Sequence, residues 1–316
     1  MPSTAETRQD TASGLLRIVT AGITWGSIPI FYAALPKVAP AVVVFWRVCL
    51  SGVAVLGVAS FTGDLGRLRR LPGRKLGALA LNGALLALNW VLFFSGLRYA
   101  GVAIGEILGY MGPVFVAALT PLVLHVPFDR RVVLPLVLTL GGTVAILAST
   151  VGGPRYGANV PLGALLAAGS AVTYSLLILN SKRLLAGVST VSLMLVEDAT
   201  AAVLLLPAVL LLPGITTGRE WGAMTVIAIV HTVLTGFLFV SGLRRVRADH
   251  AAILTYAEPV SAVVFGALVL HQAITPAIVA GGAAVVAGGM LVAGMGTGYG
   301  QEVPQADGEG SDGPAG

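Results

Sequence analysis

The sequence predicts an all-α integral membrane protein whose ten transmembrane helices form two inverted five-helix repeats. Three observations carry this prediction. Of 316 residues, 56% are hydrophobic and 10% charged, and the mean hydropathy is +0.90; a soluble domain carries roughly a quarter charged residues. Apolar runs recur along the whole chain, each long enough to cross about 30 Å of hydrocarbon, which takes roughly 20 residues. Finally, the stretch from Phe93 to His125 returns 146 residues later as Phe239 to His271, with fourteen identities in thirty-three ungapped positions. Shared Leu and Val could arise by chance, but Ser-Gly-Leu-Arg, Tyr-x-x-Pro and a terminal His in one register mark an internal duplication.

The runs fall at 14–34, 39–61, 76–97, 102–124, 132–151, 160–181, 190–212, 221–242, 250–270 and 275–295. Their apolar residues are near-continuous rather than alternating. In lipid each span must also satisfy its own backbone, so helices are expected and barrel strands are not. The first repeat covers 14–151 and the second 160–295, joined by short loops that leave no room for a soluble domain. Residues 1–13 read as a disordered cytoplasmic lead. The first span, lacking a small-residue cleavage site, reads as an uncleaved membrane helix. The Gly-, Pro- and acid-rich residues 296–316 read as a disordered acidic cytoplasmic tail.

Lys and Arg set the orientation. With both termini cytoplasmic, fourteen fall inside, Lys37, Arg98, Arg155 and Arg219 fall outside, and Arg47 lies within a helix. This accounts for the basic pI without nucleic acid. Five spans is an odd number, so the second repeat should be upside down relative to the first. The loops agree: Arg98 stands alone after the third span, while Arg244, Arg245 and Arg247 follow the eighth. Inverted repeats are a carrier architecture, with a site expected near midplane between the halves.

Other classes find little support. A single Cys49 excludes an internal disulfide or a cysteine-based metal site. No phosphate-binding loop of the G-x-x-x-x-G-K-[ST] type appears, and the four His are scattered. The expectation is no enzyme activity, no catalytic residue, no metal and no cofactor.

Several motifs carry a family resemblance. They are Trp25-Gly26-Ser27 in the first span, Phe45-Trp46-Arg47 in the second and Trp90 to Phe94 with Gly96-Leu97-Arg98-Tyr99 in the third. Gly112-Pro113 in the fourth and Tyr256-Ala257-Glu258-Pro259 in the ninth complete the set. Over about 14 to 295 the chain resembles the EamA-type branch of the drug/metabolite transporter superfamily. It departs from that pattern after Leu124 and Leu270, where His125 and His271 replace the usual Gly. The resemblance implies inner- or plasma-membrane export or exchange of small metabolites such as amino acids, amines or drug-like compounds. The partners are then the lipid bilayer and a small-molecule substrate, with protons as a candidate coupling ion; oligomeric state is left open. A lipid-handling flippase of the same fold is the alternative, and a membrane enzyme a more distant one.

Charge at bilayer depth costs at least about 2.5–3.5 kcal/mol, so each instance is a functional candidate. Arg47 lies eight residues into its span, roughly 12 Å deep at 1.5 Å per residue, and within reach of Glu106. That pair either locks two helices or gates. Glu197 and Asp198 lie on the seventh span; adjacent residues point about 100° apart, so one should face the interior while the other snorkels or meets a neighbouring helix. Glu258 binds substrate or protons, or else helps a broken helix satisfy itself beside Pro259. Pro113 (with Gly112) and Pro259 occupy matching places, and paired interruptions point to a site. Tyr110 and Tyr256, one turn earlier, could present hydroxyls or rings to a solute, with Trp90 as aromatic wall and Asn89 as amide. Asn82 and Tyr174 complete the set at membrane depth, with His231 as a residue able to titrate near neutrality.

Overall fold

The computed structural model describes residues 4–100, 105, 108–150, 159–270 and 275–295, and every regular element among them is helical. Among the described residues, nine helices are long and apolar enough to cross a membrane: Gln9–Tyr32, Pro40–Thr62, Gly73–Ala100, Arg130–Ala148, Val160–Leu184, Thr190–Leu211, Gly218–Leu243, Ala248–Val269 and Pro276–Gly294. The shorter apolar helix Gly112–Leu124 takes the fourth place in order. All ten expected spans thus have a helix, called first to tenth below.

Local chemistry sets the helix starts. Pro40, Pro113, Pro161 and Pro276 sit in the first turn of the second, fourth, sixth and tenth helices, where a missing N–H costs nothing. The Ser189, Asn159 and Thr275 side chains accept a backbone N–H at N-caps, and Thr217 with Glu220 forms a capping box before the eighth span. The first helix begins at Thr4, so residues 4–13 continue it rather than forming a disordered lead. The tail from residue 296 lies outside the described residues.

Helix pairing follows the duplication. The third span packs on the sixth as the eighth packs on the first. The fourth packs on the sixth as the ninth packs on the first, and the third on the seventh as the eighth on the second. The second meets the seventh, the fourth meets the ninth, and the fifth meets the tenth. Exchanging each span for the one five places on therefore leaves the pairing list unchanged. The halves interlock, and every pairing just named crosses between them.

The repeated Ser-Gly-Leu-Arg now has a physical reason. A Cβ on Gly96 would come within 2.8 Å of the Ala167 side chain, and one on Gly242 within 2.8 Å of the Gly14 carbonyl and the Ile18 side chain. These are the same crossing in each half, third on sixth and eighth on first. In lipid, where apolar burial no longer drives helices together, such close contact supplies the association. The fifth and tenth spans do likewise at Gly142 and Gly281, while Gly282 and Gly289 have more room. Outward-facing Leu16, Val53, Phe61, Leu122, Leu165, Val203 and Leu210 form an apolar exterior.

Candidate functional site

The second, seventh and eighth spans meet around Arg47. Its side chain is buried, with the guanidinium 4.1 Å from the Trp90 ring centroid. Nε donates to Thr232 Oγ1 at 2.6 Å, and a terminal nitrogen donates to the His231 carbonyl at 3.3 Å. That carbonyl is available because the eighth span widens into a π-helical turn over Ile229–Leu234. Such turns break the regular ladder and leave carbonyls for other donors. The Trp25 indole donates to the same oxygen at 2.9 Å. His231 itself is buried; its Nδ1 faces the Val226 carbonyl at 3.3 Å and its Nε2 the Ser27 hydroxyl at 2.7 Å. A carbonyl only accepts, so Nδ1 carries a proton, while the single Ser27 proton is shared between the Thr24 carbonyl at 2.8 Å and Nε2. Gly26 lets the first span close on the ninth, since a Cβ there would sit 2.0 Å from Ser261 Oγ. The Trp-Gly-Ser motif thus fastens the first span to both the eighth and ninth. Trp25 also packs 5.3 Å from Phe239 of the eighth span.

Glu197 and Asp198 are both buried. Of the two outcomes expected for the second carboxylate, snorkelling or meeting a neighbouring helix, the structure has the latter: the seventh span lies between the second and third, so two directions about 100° apart each meet a helix. Ser51, one turn below Arg47, donates to Asp198 Oδ2 at 2.6 Å. Glu197 takes a hydrogen bond from the Asn82 amide, which also donates to Ser181 at 2.8 Å, while Asn82 Oδ1 accepts from Asn180 at 2.9 Å. Both amide protons of that buried side chain and one of its two acceptor positions are used. Gly83 makes the approach possible, since a Cβ there would lie 2.7 Å from the Glu197 carbonyl. Asp198 and Glu258 both lie within electrostatic range of Arg47. Glu106, expected near Arg47, lies outside the described residues.

The prolines break their helices rather than merely kinking them. Turns replace helix at 110–111 and 255–256, after which helix resumes at Gly112 and Ala257. Backbone groups freed there find new partners. The Thr255 carbonyl, which loses its usual donor to Pro259, accepts from the Glu258 amide at 2.9 Å. The Tyr256 hydroxyl donates to the Tyr110 carbonyl at 2.6 Å, the two rings lying 6.1 Å apart. Tyr256 is fully buried and Glu258 half-buried. The Tyr174 ring lies over Gly112, where a Cβ would come within 2.6 Å of it, and its hydroxyl is buried with no hydrogen-bond partner among the described residues.

Other candidates separate. Trp90 stacks on Phe94 at 5.5 Å and meets Phe93 edge-on, in an aromatic layer with Tyr32 on Phe94. Asn89, next along the helix, turns to the sixth span and donates to the Ser170 carbonyl at 2.7 Å. His125 ends the fourth span in a left-handed conformation. His271 lies outside the described residues. Sequence reasoning missed the π-turn, Thr232, Ser51, Asn180 and Ser181. Only the polar Thr232 and Ser51 among apolar neighbours gave a signal. No group of His, Cys, Asp and Glu able to hold a metal occurs among the described residues.

At the loops, Asp64 is buried and accepts from Ser189 at 2.6 Å, Thr62 at 2.5 Å, and Ser192 and Arg67 at 3.3 Å. Burial works against its charge, but the hydroxyls of Ser189 and Thr62, then Arg67 and Ser192, outweigh it and hold its carboxyl below the ordinary range. It ties the loop after the second span to the start of the seventh.

Two interlocked five-helix units enclosing buried charges define a polytopic membrane protein of the two-repeat type. Both units, residues 12–148 and 161–294, match the EamA-like transporter family, and the chain belongs to that family. It is 28% identical over 140 residues to the uncharacterized inner membrane transporter YhbE of Escherichia coli K12, and likewise to the YhbE proteins of Escherichia coli O157:H7 and Shigella flexneri. Each alignment covers 43% of this chain and 43% of the relative, so the match spans less than half of those proteins. A crystal structure of another protein superposes with a TM-score of 0.78 over 90% of this chain and 98% of that one, at 22% identity, and shares the fold.

Proposed function

We propose that this multi-pass inner-membrane transporter is a secondary carrier, exporting or exchanging a small organic solute by alternating access between two inverted repeats, with both termini cytoplasmic. One observation carries the reading. Buried Arg47 lies within electrostatic range of buried Asp198 and half-buried Glu258, beside two proline-broken helices, while buried Glu197, next to Asp198 in the chain, faces an amide network on the third and sixth spans. Buried charge in a membrane is retained where it binds or couples, and paired breaks mark the solute site.

The site is assigned to Trp90, Tyr110, Tyr256 and Glu258, with Tyr174 offering its hydroxyl and Arg47 an anion-binding guanidinium. Asn89 serves the third–sixth helix joint. Gly112, Pro113 and Pro259 are the flexing points. Glu197, whose partner in the fold is an amide rather than a cation, is the candidate proton carrier, with His231 second. The test is uptake of amino acids, amines and drug-like cations into liposomes bearing wild type or Glu258→Gln, with and without a pH gradient. Uptake of one class, reduced at least about tenfold by the substitution, supports the reading. Translocation of labelled lipid with no solute uptake would replace it with a flippase, and uptake indifferent to a pH gradient would remove the proton.

A further inference from the structure

Tyr110 and Tyr256 hold the same place in the two repeats, 146 residues apart, each three residues before the proline of its broken helix. The Tyr256 hydroxyl donates to the Tyr110 carbonyl at 2.6 Å. In the turn at 110–111 the ladder passes that carbonyl by, because the amides of Val114 and Phe115 both bond to Met111 O. A tyrosine from one repeat thus satisfies the backbone break of the other. A hydrogen bond between equivalent residues has an equivalent of its own, here the Tyr110 hydroxyl on the Tyr256 carbonyl. The two residues are unequal in this structure: Tyr256 is fully buried, Tyr110 half-buried.

We infer that this bond is one setting of a two-position latch, and that the mirror bond, Tyr110 hydroxyl to Tyr256 carbonyl, holds the oppositely facing state. The inference rests on the inverted-repeat reading above. If the halves are inverted, turning the molecule over exchanges them. A state with the repeats in conformations A and B, open to one side, becomes the state open to the other side once the conformations are exchanged. A contact joining equivalent residues unequally must then reverse its sense between the two states. The bond also spans the fourth and ninth helices at the breaks where each would bend. The Tyr174 ring, packed over Gly112, keeps the fourth-span break covered while the latch holds.

The test uses the full chain with Cys49→Ser and spin-label pairs at exposed positions, Lys37→Cys with Arg219→Cys and Arg69→Cys with Arg244→Cys. Interlabel distances give the ratio of the described state to its alternative. Tyr256→Phe should lower that ratio about fivefold, the effect of one neutral hydrogen bond, and adding Tyr110→Phe should restore it. Tyr110→Phe shifting the ratio in the same direction as Tyr256→Phe, or leaving the Tyr256→Phe ratio unchanged, would overturn the latch. Arg69 and Arg219 lie in equivalent loops, so an impermeant thiol reagent applied to each single-cysteine variant in sealed vesicles tests the inversion separately. Labelling from one face for both sinks the inverted reading. Labelling from opposite faces with a failed latch sinks the latch alone.

Discussion

Arg47 and Glu197 are each the eighth residue of their helices, Pro40–Thr62 and Thr190–Leu211, which meet face to face. The position is the same, the charge opposite, and the surroundings differ accordingly. Arg47 is met by acceptors: a hydroxyl oxygen, a π-turn carbonyl and an aromatic face. Glu197 is met by donors from an amide network. Duplication supplied the frame, and the dipoles of the third and eighth spans diverged to match each ion. A buried ion is tolerated when prearranged dipoles and a counter-charge replace its hydration, and here each pole has its own shell.

The largest effect should come from exchanging the poles. With Arg47→Glu and Glu197→Arg combined, net charge and pairing order survive, yet each ion faces dipoles of the wrong sign. Liposome uptake should fall at least about 100-fold, because breaking a buried charged contact costs about 3–5 kcal/mol; recovery by the double variant would show that the shells are not specific. Arg47→Lys should sit between, down about tenfold, since an ammonium cannot reproduce the planar fork over Trp90.

Next in size is the acidic pole alone. Glu197→Ala strands the Asn82 amide and should cost about 2–3 kcal/mol, read as a lowered melting temperature in detergent. Glu197→Gln keeps an acceptor oxygen and should cost under about 1 kcal/mol while abolishing any stimulation of uptake by a pH gradient. Equal melting of the two variants would show that the amide contact is not what stabilises the pole.

Two glycines facing the seventh span, one on the third span and one on the second, sharpen the packing side. A Cβ on Gly83 would lie 2.7 Å from the Glu197 carbonyl and the Thr200 Cβ, whereas one on Gly52 would meet the Asp198 Cβ at an ordinary 3.5 Å. Gly83→Ala should therefore destabilise by about 1–3 kcal/mol, and Gly52→Ala by less than about 0.5 kcal/mol. A modest effect lies outside the poles. Asp64→Asn should cost about 1 kcal/mol at pH 7. Because the folded carboxyl titrates below its unfolded value, that contribution is complete above about pH 4 and is lost as pH falls through the folded pKa. Melting curves of variant and wild type should converge below that range.

The duplication explains which parts of the site were legible. Pro113, Pro259, Tyr110 and Tyr256 could be found because the same residues stand 146 apart, and breaks at prolines follow from covalent geometry. Arg47, Glu197 and Asp198 were visible as charges in apolar runs. Their pairings were not. Arg47 joins Thr232, 185 residues away, and Glu197 joins Asn82, 115 residues away. Asn82 and Thr232 show in the sequence as polar residues in apolar runs, but nothing there says which charge each meets. Whether the second of Glu197 and Asp198 would snorkel or meet a helix was left open for a related reason: helical periodicity gives the angle between two side chains but not how many neighbours surround the helix.

The sequence by itself determined the number of spans, their helical nature and the five-and-five duplication, because those follow from local hydropathy, backbone satisfaction in lipid and direct comparison of the chain with itself. Only the tertiary structure decided that Ser51 serves Asp198, that a π-turn presents the His231 carbonyl to Arg47 and Trp25, and that Tyr256 reaches the Tyr110 backbone. Those contacts depend on which helix faces lie within about 3 Å of one another after association. In lipid that is settled by where Gly83, Gly96 and Gly242 let backbones touch, a property of pairs of helices that no single stretch of sequence contains.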